Sequence, residues 1–307
     1  MIIKTQKHKN TKTQKHKNTK TQKHKNSKKH KKNNTLKYTK NKYFKKSIIT
    51  KSFFNKTKYW ELQENKYAYS QGKGYGGSSI MKEVELCIKF MLTKPLIFID
   101  VGAEKGTYTK EVLKYFPNIK VFIFEPSKIH HTKLNTNFGK LPNVHISDLA
   151  LSNNTGKQKL YFDEEGSAFS SLFKRRLDHF NIYMNYSEEI ETIRFDEFWK
   201  QQNIKGIIDY VKLDVEGYEL NVLAGMGDLL NIIGLIQFEF GGTNIDSRTY
   251  FQDFWYLFKD YNFSIYRITP TLLLPINKYS ESHEFFKTTN YIAVNNNINK
   301  NNINKYK

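Results

Sequence analysis

Six carboxylates stand at or near the ends of apolar, strand-like runs: Asp100, Glu125, Asp148, Asp214, Glu216 and Glu239. A carboxylate can accept from two hydroxyls at once, take a proton from an attacking hydroxyl, or hold a divalent cation. Asp214 and Glu216 are two residues apart, so on an extended chain both point to one face, and Lys212 shares that parity. Asp100 opens a tight loop containing Gly102 and Gly106, where a side chain would hold a ligand away from the backbone. The spacing is G-x-x-x-G rather than G-x-G-x-x-G, which speaks against a dinucleotide fingerprint and a nicotinamide-dependent oxidoreductase. Glu125 follows Gly106 by 19 residues, about where a doubly wound fold places the acid that holds a ribose diol. Taken singly, Asp100 caps a turn and Glu125 ends a strand in solvent. Together, six acids predict one active edge.

The elements that must position these acids alternate in type. Leu96–Ile99, Val121–Phe124, Val144–Leu151, Asp209–Val215 and Leu235–Phe240 read as buried parallel strands. Lys157–Phe162 reads as an added strand, and Glu191–Phe195 as another before a helix around Phe198. Helices are expected over Ile80–Leu92, Lys110–Tyr115, Tyr218–Leu230 and Tyr250–Phe258, with Phe263–Ile268 and Tyr291–Val294 closing the sheet as a terminal hairpin. This pattern predicts an α/β three-layer sandwich, Rossmann-like, with a mostly parallel central sheet. In such sheets a ligand sits outside the carboxyl ends of the strands.

Charge is unevenly spread along the 307 residues. Residues 1–58 hold 21 Lys and no acid, while the remaining 29 Lys and Arg equal the 29 Asp and Glu, so the net charge of +21 belongs to the tail. Thr5–Lys28 is three copies of an octapeptide without an apolar residue, which cannot bury enough surface to order itself. Its recurring His8, His16 and His24 make a poor metal site. The tail either attaches non-specifically to nucleic acid or other polyanions, or is a low-complexity expansion with no function. The expected division is therefore a disordered tail at 1–58, a domain at 59–295 and a polar end at 296–307. Cys87 is the sole cysteine, which excludes an intrachain disulfide and fits a reducing compartment. No apolar run is long enough to cross a bilayer, and none follows the basic start early enough for a signal peptide. The chain reads as soluble, intracellular and cytoplasmic.

The segments IDVGAEKGTYT (99–109), FEP (124–126), NVHISDLALSNNTG (143–156) and VKLDVEGYELNVLAG (211–225), in this order, resemble the FkbM family of S-adenosylmethionine-dependent methyltransferases. SAFSSL (167–172) is similar to a serine-containing segment of that family. The resemblance covers residues 79–240, about half the chain, and leaves the tail unexplained. It implies S-adenosylmethionine as cofactor, held by Asp100, Gly102, Gly106, Tyr108, Glu125 and Asp148. Asp100, Gly102 and Gly106 would lie under the methionine part, Glu125 on the ribose and Asp148 near the adenine. It also implies an acceptor bearing a hydroxyl on a sugar, glycan or small metabolite. Asp214 is the first choice for the base that deprotonates this acceptor, Glu216 the second, with Lys212 beside them. Alternatively, Asp214 and Glu239 hold a divalent cation. Glu219 is as well suited to capping the next helix. One residue departs from the family: Glu104 stands where Asn is usual, putting a carboxylate near that of the cofactor. A competing reading, a polyanion-binding or structural particle protein with a lapsed methyltransferase domain, rests on the tail.

Removing residues 1–58 is expected to leave a folded, cofactor-competent body. Binding to heparin or RNA, followed across a salt series, should weaken strongly and lose most of its salt dependence. Unchanged polyanion binding, or an insoluble body, would refute this division.

Overall fold

A computed structural model describes residues 56–76, 80–91 and 94–299. The octapeptide repeats, nearly all of the basic tail, Leu92 and the end of the chain from residue 300 lie outside the described residues. The chain divides into two units, Met1–Tyr59 and Trp60–Lys307. Only residues 56–59 of the first are described, and they are helical and exposed. In the second, residues 60–70 form α1 and Ile80–Cys87 form α2.

Continuous apolar runs need cover on both faces, and that requirement builds the core. All residues of β1 (Ile97–Val101) and of β7 (Ile208–Leu213) are buried, as are all but one of β2 (Lys120–Phe124) and of β8 (Ile233–Phe240). Alternation along each strand then sorts side chains into two apolar layers. Ile97, Ile99, Phe122 and Phe124 meet the layer of α5 (Phe195–Gln202), α6 (Glu219–Met226) and α8 (Phe251–Asp260). Phe98, Val121 and Ile123 meet the layer of α2, α3 (Thr107–Tyr115) and α4 (Lys128–Phe138). The result is a Rossmann-like three-layer sandwich, with helices on both faces of one sheet.

The main sheet has the order β10-β9-β11-β8-β7-β1-β2-β3, with β3 at Val144–Ser147, β9 at Phe263–Ile268, β10 at Leu273–Ile276 and β11 at Thr289–Asn295. Strands β3, β2, β1, β7 and β8 run parallel. The chain winds outward from β1 to β3 and returns on the other side at β7. This reversal puts a crevice at the carboxyl ends of β1 and β7. There Asp100 lies opposite Lys212 and Val101 opposite Leu213 in the register.

Four expectations need correction. The run Val144–Leu151 is two strands: β3 ends at Ser147, and β4 (Ala150–Ser152) leaves for a second sheet. That sheet has the order β4-β6-β5, from β5 (Gly156–Phe162) and a β6 (Tyr186–Arg194) longer than expected at its polar start. Phe195, expected to end that strand, opens α5. Finally, β11 is not joined to β9 as a simple hairpin. It inserts antiparallel between β8 and β9, with β10 following β9 on the edge.

The crevice depends on Gly102. Its φ is +75°, and an added Cβ would lie 1.9 Å from the Asp214 carbonyl oxygen, backbone that cannot swing aside. Gly102→Ala is therefore expected to lower stability by roughly 1–3 kcal/mol through strain. Urea unfolding of the two proteins measures it, and an unchanged midpoint would contradict so close an approach of the β1 and β7 ends.

Candidate active site

A cavity of about 180 Å³ opens where β1 and β7 end. Val101, Gly102 and Glu104 line it from the β1 loop, Glu125, Pro126 and His130 from the end of β2 and the start of α4, and Asp214, Val215, Glu216 and Tyr218 from the β7–α6 turn. The second sheet adds Ala150, Leu151 and Leu160, and the segment between β5 and β6 adds Ser167, Ala168, Ser170, Ser171 and Leu172.

Glu125 is 6% exposed. Its carboxylate accepts the Glu104 N–H at 2.8 Å on Oε2 and the Ser127 N–H at 3.0 Å on Oε1. Burial pushes its pKa up to about 7 against these two donors, and the nearby Asp100 and Glu104 add to the rise. Glu104 itself sits at a left-handed φ of +53°. Asn adopts that region more readily than Glu, because its short polar side chain bonds to the local backbone. Glu104 keeps the turn while its carboxylate pairs with Lys105 at 3.2 Å.

The acids of the β7–α6 turn each have a distinct partner. Asp214 is bound by the Lys212 ammonium at 2.8 Å, and its own side chain stays 44% exposed. Burial would depress Lys212, but Asp214, Asp100 and Glu83 outweigh it and hold the ammonium above its ordinary pKa. Asp100 is fully buried: Oδ2 accepts the Thr109 hydroxyl at 2.6 Å, and Oδ1 has no hydrogen-bond partner. Glu216 stands at a positive φ of +51° and is gripped by Arg175, which also reaches Asp246 at 3.4 Å. Burial raises the Glu216 carboxyl to about 8, with Asp214 adding to the rise and Arg175 opposing it. Glu219 fastens the turn before α6 rather than capping the helix as expected: its Oε1 accepts from the Val215 N–H at 3.1 Å and the Gly217 N–H at 3.3 Å. Glu239 is half-buried, and burial plus Asp214, Glu216 and Glu219 raise its pKa well above the ordinary range. Among the described residues, no group of three or more His, Cys, Asp or Glu side chains is placed to hold a metal ion.

Gly102, Glu125, Asp214 and Glu216 thus come together in one cavity, with Asp100 and Lys212 buried beside it. Four of the six expected cofactor residues do not line it: Asp100, buried beside it, and Asp148, Tyr108 and Gly106. Asp148 is exposed, because the chain leaves the main sheet at Ser147. Tyr108 is turned into the α2–α3 layer, where its hydroxyl bonds Tyr210 and Gln237. Gly106 instead makes room for α4: a Cβ there would lie 2.2 Å from the Phe138 ring. Two residues of the site carried no clear signal in the sequence. His130 stands in a polar stretch with little helical periodicity, and Arg175 in a loop beside Lys174 and Arg176.

An acid-lined edge at the carboxyl ends of a parallel sheet suits a nucleoside-type ligand, and the family of the chain narrows this to a methyltransferase dependent on S-adenosylmethionine. The chain belongs to the FkbM methyltransferase family: the model for the Methyltransferase FkbM domain matches residues 100–265. It is 24% identical over 189 residues to the 2-O-methyltransferase NoeI of Sinorhizobium fredii (strain NBRC 101917 / NGR234), covering 58% of this chain and 76% of that protein. Among solved structures it is similar to a precorrin-6y C5,15-methyltransferase from Geobacter metallireducens GS-15 (11% identity, 69% and 86% of the two chains, TM-score 0.38). It is also similar to magnesium protoporphyrin IX methyltransferase (ChlM) from Synechocystis PCC 6803 with bound SAH (12% identity, 66% and 74%, TM-score 0.34). Among the described residues, no helix is long and apolar enough to cross a membrane.

Glu125 generates a pH prediction for the protein without ligand. Its folded pKa of about 7 exceeds the ordinary 4.5, so its contribution to stability is fully present below pH 4.5 and is lost as pH rises through 7. The loss is on the order of 3 kcal/mol at most. Denaturant unfolding at pH 5 and pH 7.5 should show a smaller decline for Glu125→Gln than for wild type. Parallel declines would show that Glu125 does not carry this term.

Proposed function

We propose that the chain methylates a hydroxyl oxygen on a sugar, glycan or small metabolite. One observation carries the reading: a single cavity joins the glycine turn and Glu125 to Asp214, an acid exposed enough to meet a second molecule. The 2-O-methyltransferase activity in the name of NoeI supports an oxygen acceptor. Residues 59–295 are the catalytic domain on this reading, and 1–58 a separate basic tail.

The residues present fit S-adenosylmethionine. Gly102 offers backbone without a side chain, Glu125 has acceptor capacity for ribose hydroxyls, and Leu151, Leu160 and Leu172 give apolar cover. When bound, the cofactor supplies a methyl group on a sulfonium, open to in-line attack. Asp100 supports the glycine turn from beneath through Thr109. Asp214 accepts the proton of the acceptor hydroxyl, with Lys212 fixing the orientation of its carboxylate. Glu216, held by Arg175, orients the acceptor from the same turn. Alignment of donor and acceptor in one cavity can lower the barrier by on the order of 7–11 kcal/mol.

Asp214→Asn conserves size and removes the base. Turnover, measured by transfer of labelled methyl to a panel of hydroxyl-bearing acceptors, should fall by roughly 10²–10⁴ while affinity for S-adenosylhomocysteine stays the same. Undiminished turnover in this variant would remove Asp214 from the chemistry.

A further inference from the structure

His130 is the third residue of α4, and its side chain lines the cavity while the residue is only 3% exposed. Its Nε2 has no well-formed hydrogen bond; the Gly166 backbone, in the segment between β5 and β6, approaches the ring and opposes the fall in its pKa. Its Nδ1 lies 3.9 Å from Glu125 Oε1, beyond direct hydrogen-bonding range. The start of α4 has no side-chain cap, since the Ser127 hydroxyl makes none. A buried ring nitrogen without a well-formed hydrogen bond is unfavourable unless a ligand or water completes it. The site therefore calls for a polar group between Glu125 and the first turn of α4.

The chemistry of that group can be narrowed. Glu104 and Glu125 both line this side of the cavity, which disfavours an anion. Burial lowers the His130 pKa, so the ring is neutral near pH 7, with one nitrogen donating and the other accepting. A hydroxyl can play either role and so suits Nε2 in either tautomer. A second hydroxyl beside the first suits the remaining acceptor capacity of Glu125.

We infer that His130 binds the nucleoside of the cofactor, its Nε2 hydrogen-bonded to one ribose hydroxyl while Glu125 accepts from the other. The inference rests on the reading that this cavity holds S-adenosylmethionine. It adds a cofactor contact on the first turn of α4, beside the acid that ends β2.

The test is calorimetric titration of full-length wild type, His130→Ala, His130→Asn and His130→Gln with S-adenosylhomocysteine, with a thermal melt of each without ligand. Asn places its amide near the position of Nδ1, whereas Gln reaches about as far as Nε2. His130→Ala and His130→Asn should bind roughly three- to tenfold more weakly, the effect of one neutral hydrogen bond, with His130→Gln within about twofold of wild type. Repeating the titrations of wild type and His130→Ala with the 2′-deoxy and 3′-deoxy analogues of S-adenosylhomocysteine locates the contact. With one analogue the loss caused by His130→Ala should vanish, because the partner hydroxyl is already gone. Wild-type affinity in His130→Ala, or an equal loss with both analogues, would overturn the inference and leave the cofactor site standing. Should His130→Ala fail to fold, equal affinities of His130→Asn and His130→Gln would overturn it. Failure of the wild type to bind S-adenosylhomocysteine at all would overturn the cofactor reading, and this inference with it.

Discussion

A buried ammonium organises the carboxyl edge of the sheet. Lys212 is 7% exposed, and a charge so placed must be compensated by charges brought to it. Asp214 binds it directly at 2.8 Å, Asp100 lies opposite in the β1–β7 register, and Glu83 faces it from α2. These carboxylates come from three separate parts of the fold. Their arrangement therefore ties α2, β1 and the β7–α6 turn to one point. Removing one partner from such a group leaves a stranded charge, which is costlier than the pair was favourable. Three acids around one cation are also too many to stay fully ionised away from water. Burial accordingly raises the pKa of both Glu83 and Asp100. The more exposed Asp214 is left as the natural counter-charge to Lys212.

The same lysine connects the edge to a polar chain inside the apolar layer. Its ammonium lies 4.9 Å from the centre of the Tyr108 ring. The Tyr108 and Tyr210 hydroxyls both donate to the Gln237 side-chain Oε1, and Gln237 Nε2 donates to Glu83 at 2.9 Å. Asn290 on β11 donates to the other Glu83 oxygen, also at 2.9 Å. Such a chain is unfavourable half-made and restrictive when complete, so it specifies how α2 and α3 sit on the sheet. Tyr108 thus serves the site through packing and the position of Lys212, with no surface toward the cavity.

What could be read from the sequence follows from which signals are local. Continuous apolar runs such as Leu96–Ile99 and Val121–Phe124 mark doubly covered strands by themselves, and so the edge where their acids collect was legible. The G-x-x-x-G turn and the Asp214–Glu216 pair were legible for the same reason. The break after Ser147 was not, because VHISDLAL is apolar enough throughout to pass as one strand, while its division depends on β6, distant in the chain. That break alone moved Asp148 out of the site. Helix α4 was illegible because only His130, Leu134 and Phe138 are buried along it, too few for an amphipathic stripe. Arg175 escaped because its partners, Glu216 and Asp246, lie 41 and 71 residues further along the chain. Residues 100–125 and 211–219 show their role in short spans, whereas the covering segment shows it only when folded.

With that covering segment in place, two acids of one turn are held in different ways. The chain between β5 and β6 is tied down where Tyr161 bridges Ser171, where the Ser171 hydroxyl donates to the Glu216 carbonyl at 2.9 Å, and where Arg175 grips the Glu216 carboxylate. Glu216 is thereby fixed through both its backbone and its side chain, in a left-handed conformation that a non-glycine residue holds only when its surroundings impose it. Asp214 has one cation, Lys212, and nearly half of its side chain remains open. An acid held on every side can orient a neighbour but has little freedom to exchange a proton with an arriving molecule. An acid held from one side can do both. The proposed division of labour between Asp214 and Glu216 therefore rests on where their cations stand: Lys212 beneath in the sheet, and Arg175 in the segment that roofs the cavity.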